Sequence, residues 1–265
     1  MPMDRLSLDF ELLDDLALGV ERERLDVTAL GHVIAQGFGP VIETAFIAST
    51  WEHSMLAELE WLRVDGFSNI LQDLRSQQTQ EQKTGVTTGW ICGDQLGDDT
   101  SWTGFLIRVS ALCKVGGFGG RTKNAIMATF GEFRSNILEH AGKTKGAIAA
   151  FHFGTEGLEI VVADQGRGAL ASMRKAKKYQ TLEDSGRALK LIVTDGVSRH
   201  DDPERGHGFT HLFQGLANRF NHIRLRSGDH ALEVFRANGE RPSERISQKA
   251  KIPGLLVYAR FNKDN

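Results

Sequence analysis

Apolar positions in the first third of the chain recur near the helical period: Phe46, Trp51, Met55, Leu56, Leu59, Trp61 and Leu62 fall on or beside one face of a 3.6-residue repeat. With no proline after Pro40 in that stretch, the pattern predicts mainly helices from about Leu6 to Gln82. The polar run from Gln77 to Lys83 and a loop from Gly93 to Asp99 interrupt it. Ser101, a helix-capping residue type, opens a further predicted helix to about Lys114. Residues 1–115 therefore read as an α-rich accessory or partner-binding region.

The pattern changes after the glycine cluster Gly116, Gly117, Gly119 and Gly120. Thr122 is placed to cap a helix running through Ala141, after which the apolar period shortens toward two. Gly146 to Phe153 and Leu158 to Ala163, around turn residues 154–157, predict a β-hairpin. Ile223 to Arg226 and Ala231 to Arg236 predict a second around Gly228 and Asp229, and Leu255 to Phe261 supplies another strand. Between them Phe209 to Phe220 reads as a helix. The order predicts an α+β fold: a mixed, mostly antiparallel sheet with helices on one face over residues 116–265, preceded by the α-rich region.

Composition narrows the function classes. The 265 residues, 40% hydrophobic and 25% charged, suffice for one large core or two modest ones. With 32 basic against 34 acidic residues, overall charge does not favour nucleic acid or an anionic membrane as partner. No apolar run reaches membrane-spanning length, and Asp4, Arg5, Asp9, Glu11, Asp14 and Asp15 are unlike a secretory signal. Cys92 and Cys113, the two cysteines, form no CxxC pair and fit buried structural roles in a reducing compartment, so the expected location is cytoplasmic. The acidic start, with eight Asp or Glu against three Arg through Asp26, suits either an interface or a solvated helix.

Three short motifs carry the candidate chemistry. Glu132, Asn136 and His140 stand four apart on one helix, so they share a face. The Asn136 amide oxygen is a hard ligand suited to Mg²⁺, and the Glu132 carboxylate suits polarising a water or hydroxyl for attack on phosphorus. Asp164 ends a predicted strand and opens Asp-Gln-Gly-Arg-Gly, where a carboxylate can accept from an exocyclic amine such as that of adenine, while Gly166 and Gly168 let the backbone turn. Gly206 and Gly208 precede the helix from Phe209, whose first amides suit phosphate oxygens. Taken singly, each motif also fits a solvated helix face or an ordinary turn. Their joint order is the signal.

Neighbouring patterns fail. A Walker phosphate loop is absent around Gly116 to Gly120 and at Gly142, Lys143 and Thr144, and His207 with His211 lacks the glutamate of a zinc HExxH. His53, followed by Ser54, reads as an ordinary helix residue.

The three motifs resemble the N box, the DxGxG box and the second glycine box of the GHKL superfamily, which takes in gyrases, heat-shock chaperone ATPases and histidine kinases. The match covers roughly Thr122 to Phe261, and Asn136-Ile-Leu-Glu-His140 is most similar to the anti-sigma-factor type of serine kinase. The resemblance implies a Bergerat-type α/β sandwich binding ATP and Mg²⁺. It also implies Glu132 as general base, Asn136 as Mg²⁺ ligand and Asp164 as adenine anchor. Gly166, Gly168, Gly206 and Gly208 are the nucleotide-contacting backbone it implies; His140, and Arg205 beside the second glycine box, are further nucleotide-binding candidates.

Two positions depart from the pattern. Glu139 stands where histidine kinases usually place a phosphate-contacting Lys, and the final-strand Gly-Thr appears as Gly254-Leu255. A long segment between Gly168 and Gly206 corresponds to the superfamily's mobile lid, with Arg174, Lys175, Lys177, Lys178 and Arg199 as further phosphate candidates. The expected activity is phosphoryl transfer, to water as a conformationally switched ATPase or to a partner's serine or threonine. The alternative is a nucleotide-sensing module with little turnover. A protein partner, and a second copy in a homodimer, are the macromolecular expectations.

Overall fold

The computed structural model describes residues 6–22, 33–35, 37–50, 67–76, 87–141, 144, 146–155, 157–194, 220–236 and 242–263. The chain runs β1 (Leu6–Leu8), α1 (Phe10–Glu21), β2 (Val33–Ala35), α2 (Phe38–Thr50), α3 (Phe67–Ser76), β3 (Thr88–Cys92), α4 (Asp99–Val115) and α5 (Gly120–Asn136). It continues through β4 (Ile148–Phe153), β5 (Gly157–Asp164), α6 (Gly168–Met173), α7 (Ser185–Thr194), β6 (His222–Phe235) and β7 (Ser243–Asn262). Five strands form one sheet in the order β3-β4-β5-β7-β6, and every pairing in it is antiparallel. The parallel pairing among the described residues lies apart, between β1 and β2. The chain is thus α+β, as its pattern predicts.

Alternation along the strands splits the interior into two cores. Ala149, Phe151, Ile160, Val162, Val257 and Ala259 face α4 to α7, while Ile148, Ala150, Val161, Ala163, Leu256 and Tyr258 face α1 to α3. Helices therefore cover both faces of the sheet. The one-face arrangement expected for residues 116–265 holds for their helices α5 to α7, which α4 joins; the α-rich N-terminal region supplies the second layer. Phe105 of α4 meets Phe130 of α5 edge-on at 5.1 Å, so residues on both sides of position 116 share one core.

The β4–β5 hairpin matches its expectation, closed by the Gly154 N–H donating to the Gly157 carbonyl at 2.9 Å. An extended 14-residue strand would separate its ends by roughly 45 Å. In β6 the Arg236 N–H instead donates to the Asn221 carbonyl at 2.8 Å, and His222 stacks on Phe235 at 4.3 Å. The strand doubles back at Gly228 (φ +58°), which is the second predicted hairpin, and β7 pairs with both arms.

Two caps differ from expectation. Asp98, not Ser101, caps α4, its carboxylate accepting from the Ser101 N–H at 2.7 Å. Gly119 precedes α5, leaving Thr122 buried inside the first turn. Strand β3 was not read from the pattern; its Trp90-Ile91-Cys92 run is buried on both faces and so lacks alternation.

The N-terminal layer is fastened by charge. Arg224 and Arg226 on β6, 0% and 1% exposed, meet Glu43 of α2 and Asp14 of α1, which are equally buried. Arg224 is bidentate to Glu43 at 2.9 and 3.0 Å and reaches Asp14 at 2.5 Å; Lys249 reaches Asp14 at 2.7 Å. Burial alone would push the Arg224 guanidinium down, but the Glu43 and Asp14 carboxylates outweigh it and raise it above its ordinary value. Glu233, opposite Arg224 on the other arm of β6, receives Arg245 at 2.7 Å. At the start of α2 the Phe38 and Gly39 N–H groups donate to the Glu159 carboxylate of β5 at 3.1 and 3.0 Å.

Candidate functional site

The described parts of the candidate site gather at one end of the sheet. Arg134, near the C-terminal end of α5, holds the Leu96 and Gly97 carbonyls just beyond β3, whose last residue Cys92 pairs with Ile148, which in turn pairs with Ala163, so that end of α5 lies at the end of the sheet that carries Asp164. Asp164 pairs with Leu255 of β7, which in turn pairs with Ser227 of β6. Sequence spacing separates these segments widely, Asn136 from Leu255 most of all; antiparallel register joins the strands among them.

Helix α5 is held at its C-terminal end. Arg134 donates to the Leu96 carbonyl at 2.7 Å, to the Gly97 carbonyl at 3.0 Å and to Asp99 at 2.6 Å, and its guanidinium lies over Trp102 at 5.3 Å. Glu132 and Asn136 are both half-buried, one turn apart. At Asn136 the α-helix ends and a π-turn, Ile137–Ala141, follows. Such wide turns recur at functional sites because they re-aim side chains without breaking the helix. The Asn136 Nδ2 is buried with no hydrogen-bond partner among the described residues, a cost the fold carries at this position. His140 lies in the π-turn.

Asp164 forms the second part. Its Oδ1 accepts the Gly166 N–H at 2.7 Å, closing the turn that the DxGxG sequence predicts. Burial raises the carboxyl to about 6, against the opposing hydrogen bonds of the Gly166 and Leu255 N–H groups. Gly254 (φ +64°) packs on it: a Cβ there would overlap the Asp164 carbonyl oxygen and stand 2.8 Å from Oδ1. Gly168 (φ +76°) opens α6, and a Cβ there would stand 2.8 Å from the Ser227 Oγ and 2.9 Å from the Gly254 carbonyl oxygen. Both glycines are demanded by conformation and by close approach together.

Of the basic residues after Gly168, Arg174 turns back on its own loop, donating to the Leu182 carbonyl at 2.8 Å. Lys175, Lys177 and Lys178 are exposed. Arg199, Arg205, Gly206, His207, Gly208 and His211, the predicted helix from Phe209 except Phe220, and His53 lie outside the described residues. Cys92 and Cys113 are both buried, and burial pushes the Cys113 thiol up to about 11. Among the described residues no group of three His, Cys, Asp or Glu side chains is placed to hold a metal ion, and no helix is long and apolar enough to cross a membrane.

Sequence reasoning missed Ser227. Its Oγ accepts the Ala169 N–H at 2.9 Å and donates to the Gly254 carbonyl at 2.8 Å, tying the start of α6 to β7 beside Asp164. Nothing local marks a serine at the end of a strand that alternates Ile223, Arg224, Leu225 and Arg226 as part of a site. Comparison with protein-family models, with curated proteins and with solved structures finds no match to this chain.

Proposed function

We propose that this chain binds ATP with Mg²⁺ at the end of the sheet carrying Asp164 and Asn136, and that it transfers the terminal phosphoryl group, as a GHKL-type protein with a Bergerat-type sheet. The observation that carries this reading is that a buried Asn136 amide nitrogen, without hydrogen-bond partner among the described residues, stands at a π-turn at the same end of the sheet as the half-buried Asp164 carboxylate. Both are costly arrangements that a packed core does not need.

The residues present fit the groups assigned to them. A Mg²⁺ ion takes oxygen ligands, keeps waters and shares substrate phosphates, so one amide oxygen from the protein suffices, and Asn136 offers it once the amide turns. Bound there, the ion would neutralise charge on the phosphates. Asp164, ionised above about pH 6, accepts from the exocyclic amine of adenine through the oxygen that the Gly166 amide leaves open. Glu132, one turn before Asn136, holds the proton removed from the attacking hydroxyl or water. Arg205, Gly206 and Gly208 remain the candidates for the phosphate end.

Calorimetric titration of Mg²⁺-ATP into the wild type and Asp164→Ala, with phosphate release followed on the same samples and on Glu132→Gln, tests the reading. Binding lost in Asp164→Ala and release lost in Glu132→Gln support an ATPase. Binding without release turns the search to a phosphorylated partner protein or to a nucleotide sensor. No binding by the wild type overturns the proposal.

A further inference from the structure

We infer that Ser227 is a positioning residue for base recognition: its hydroxyl locks the strand end and the helix start between which Asp164 is held, and so sets the discrimination between a purine with a 6-amino group and one with a 6-carbonyl. The ligand in this inference rests on the nucleotide reading above. The tie itself rests on the hydrogen bonds of the Ser227 hydroxyl.

Three segments far apart in sequence meet at this one hydroxyl. Ser227 is 1% exposed at the end of the first arm of β6. Its O–H donates to the Gly254 carbonyl at 2.8 Å while its oxygen accepts the Ala169 N–H at 2.9 Å. Gly254 is the residue at which a Cβ would overlap the Asp164 carbonyl oxygen, and Gly168, next to Ala169, opens α6 just after the turn that Asp164 closes on Gly166. Moving either segment moves the carboxylate. The fit is also tight enough to exclude slack, since neither Gly168 nor Gly254 has room for a Cβ.

Among the described residues Ser227 is the side chain bonded to those two backbone groups, and a methyl group at position 227 takes that partner from both. The segments would then separate or admit water. Either outcome relaxes the orientation of the Asp164 carboxylate, on which amine recognition depends. A carboxylate held in one direction accepts from an amine and repels a carbonyl; a loosely held one turns away from the carbonyl and discriminates less.

The test compares ATP with ITP, in which a carbonyl replaces the 6-amino group and N1 gains a proton, on the wild type, Ser227→Ala and Ser227→Thr. ATP binds the wild type at least about tenfold more tightly than ITP, in line with one charge-assisted hydrogen bond gained or lost. In Ser227→Ala the ATP/ITP ratio falls at least about threefold, and Ser227→Thr, which keeps the hydroxyl, restores it. A preserved ratio in a folded Ser227→Ala protein overturns the inference, because a merely structural serine would weaken both nucleotides alike. The ¹³C carboxyl titration of Asp164 supplies the readout without nucleotide. Its midpoint moves in Ser227→Ala and returns in Ser227→Thr; a midpoint unchanged in Ser227→Ala sinks the tie. Failure of the wild type to bind ATP while that midpoint moves would count against the nucleotide reading and leave Ser227 as the residue that positions Asp164.

Discussion

The two faces of the sheet are built on different principles. The face under α4 to α7 is closed by hydrocarbon: Phe105 meets Phe130 edge-on and Phe151 at a tilt, with Val162, Leu225 and Val257 in the same core. The face under α1 to α3 has a comparable apolar layer, but at its β6 end it is closed by Asp14, Glu43, Arg224, Arg226 and Glu233, all nearly inaccessible. Apolar contacts degrade gradually when one is trimmed, whereas a buried ion cluster fails abruptly when one member is lost. The contrast separates a layer that carries the candidate site from one that attaches the N-terminal region with defined geometry. Arg226 and Ser227 are neighbours on β6 and point to opposite faces, so the two systems share a strand.

The strongest challenge to that contrast is Glu43→Ala, which leaves two buried guanidiniums short of a carboxylate. Unfolding in urea is expected to show a loss of about 3 to 5 kcal/mol. A loss below about 1 kcal/mol would mean that the cluster is not what fastens this layer. Replacing Glu43 and Arg224 together by Leu and Met is expected to recover part of the loss, since one of the two guanidiniums leaves with its carboxylate and Arg226 keeps Asp14.

The two faces also predict opposite responses to pH. Burial alone would raise Glu233, but the hydrogen bond from His222 and the charges of Arg224 and Arg245 outweigh it and hold the carboxyl at about 2. A carboxyl depressed in the folded state contributes stability above the unfolded value of 4.5 and loses it as pH falls toward 2. Asp164, raised to about 6, has the reverse sign: its contribution is most favourable below 3.8 and declines as pH rises through about 6. Thermal unfolding across pH 2 to 8 should therefore flatten at the acid end in Glu233→Gln and flatten near pH 6 in Asp164→Asn. Finding both slopes in either variant would erase the distinction.

Under the proposed function, ATP affinity falls as pH drops below about 6, by up to about tenfold per unit, because binding requires the ionised Asp164. Calorimetry between pH 5 and 8 checks this. A flat profile removes Asp164 from the base contact. The smallest effect is expected from the apolar face: Phe130→Leu should cost about 1 kcal/mol, as apolar replacements of similar bulk do. A cost equal to that of Glu43→Ala would dissolve the contrast between the faces.

Much of the architecture was legible before folding was considered. Helix α5, the β4–β5 hairpin and the turn at Gly228 follow from periods of 3.6 and 2 and from glycine placement, all short-range properties. The Asp164 turn was equally visible, since an Asp two residues before a glycine closes on its own backbone. Strand β3 was hidden because burial on both faces removes alternation, and Ser101 was displaced as a cap by Asp98 three residues earlier. The charge cluster had no signature at all: Arg224 meets Glu43 and Asp14 across separations of 181 and 210 residues.

From the sequence alone came the α+β class, the helix that carries Glu132 and Asn136, and the strand end that carries Asp164, because local period and turn chemistry act over a few residues. Tertiary structure alone decided that helices cover both faces, that Arg224 and Arg226 are paired rather than solvated, and that Ser227 stands behind Asp164. Those outcomes depend on antiparallel register and close packing, which bring together residues whose sequence neighbourhoods contain no trace of one another.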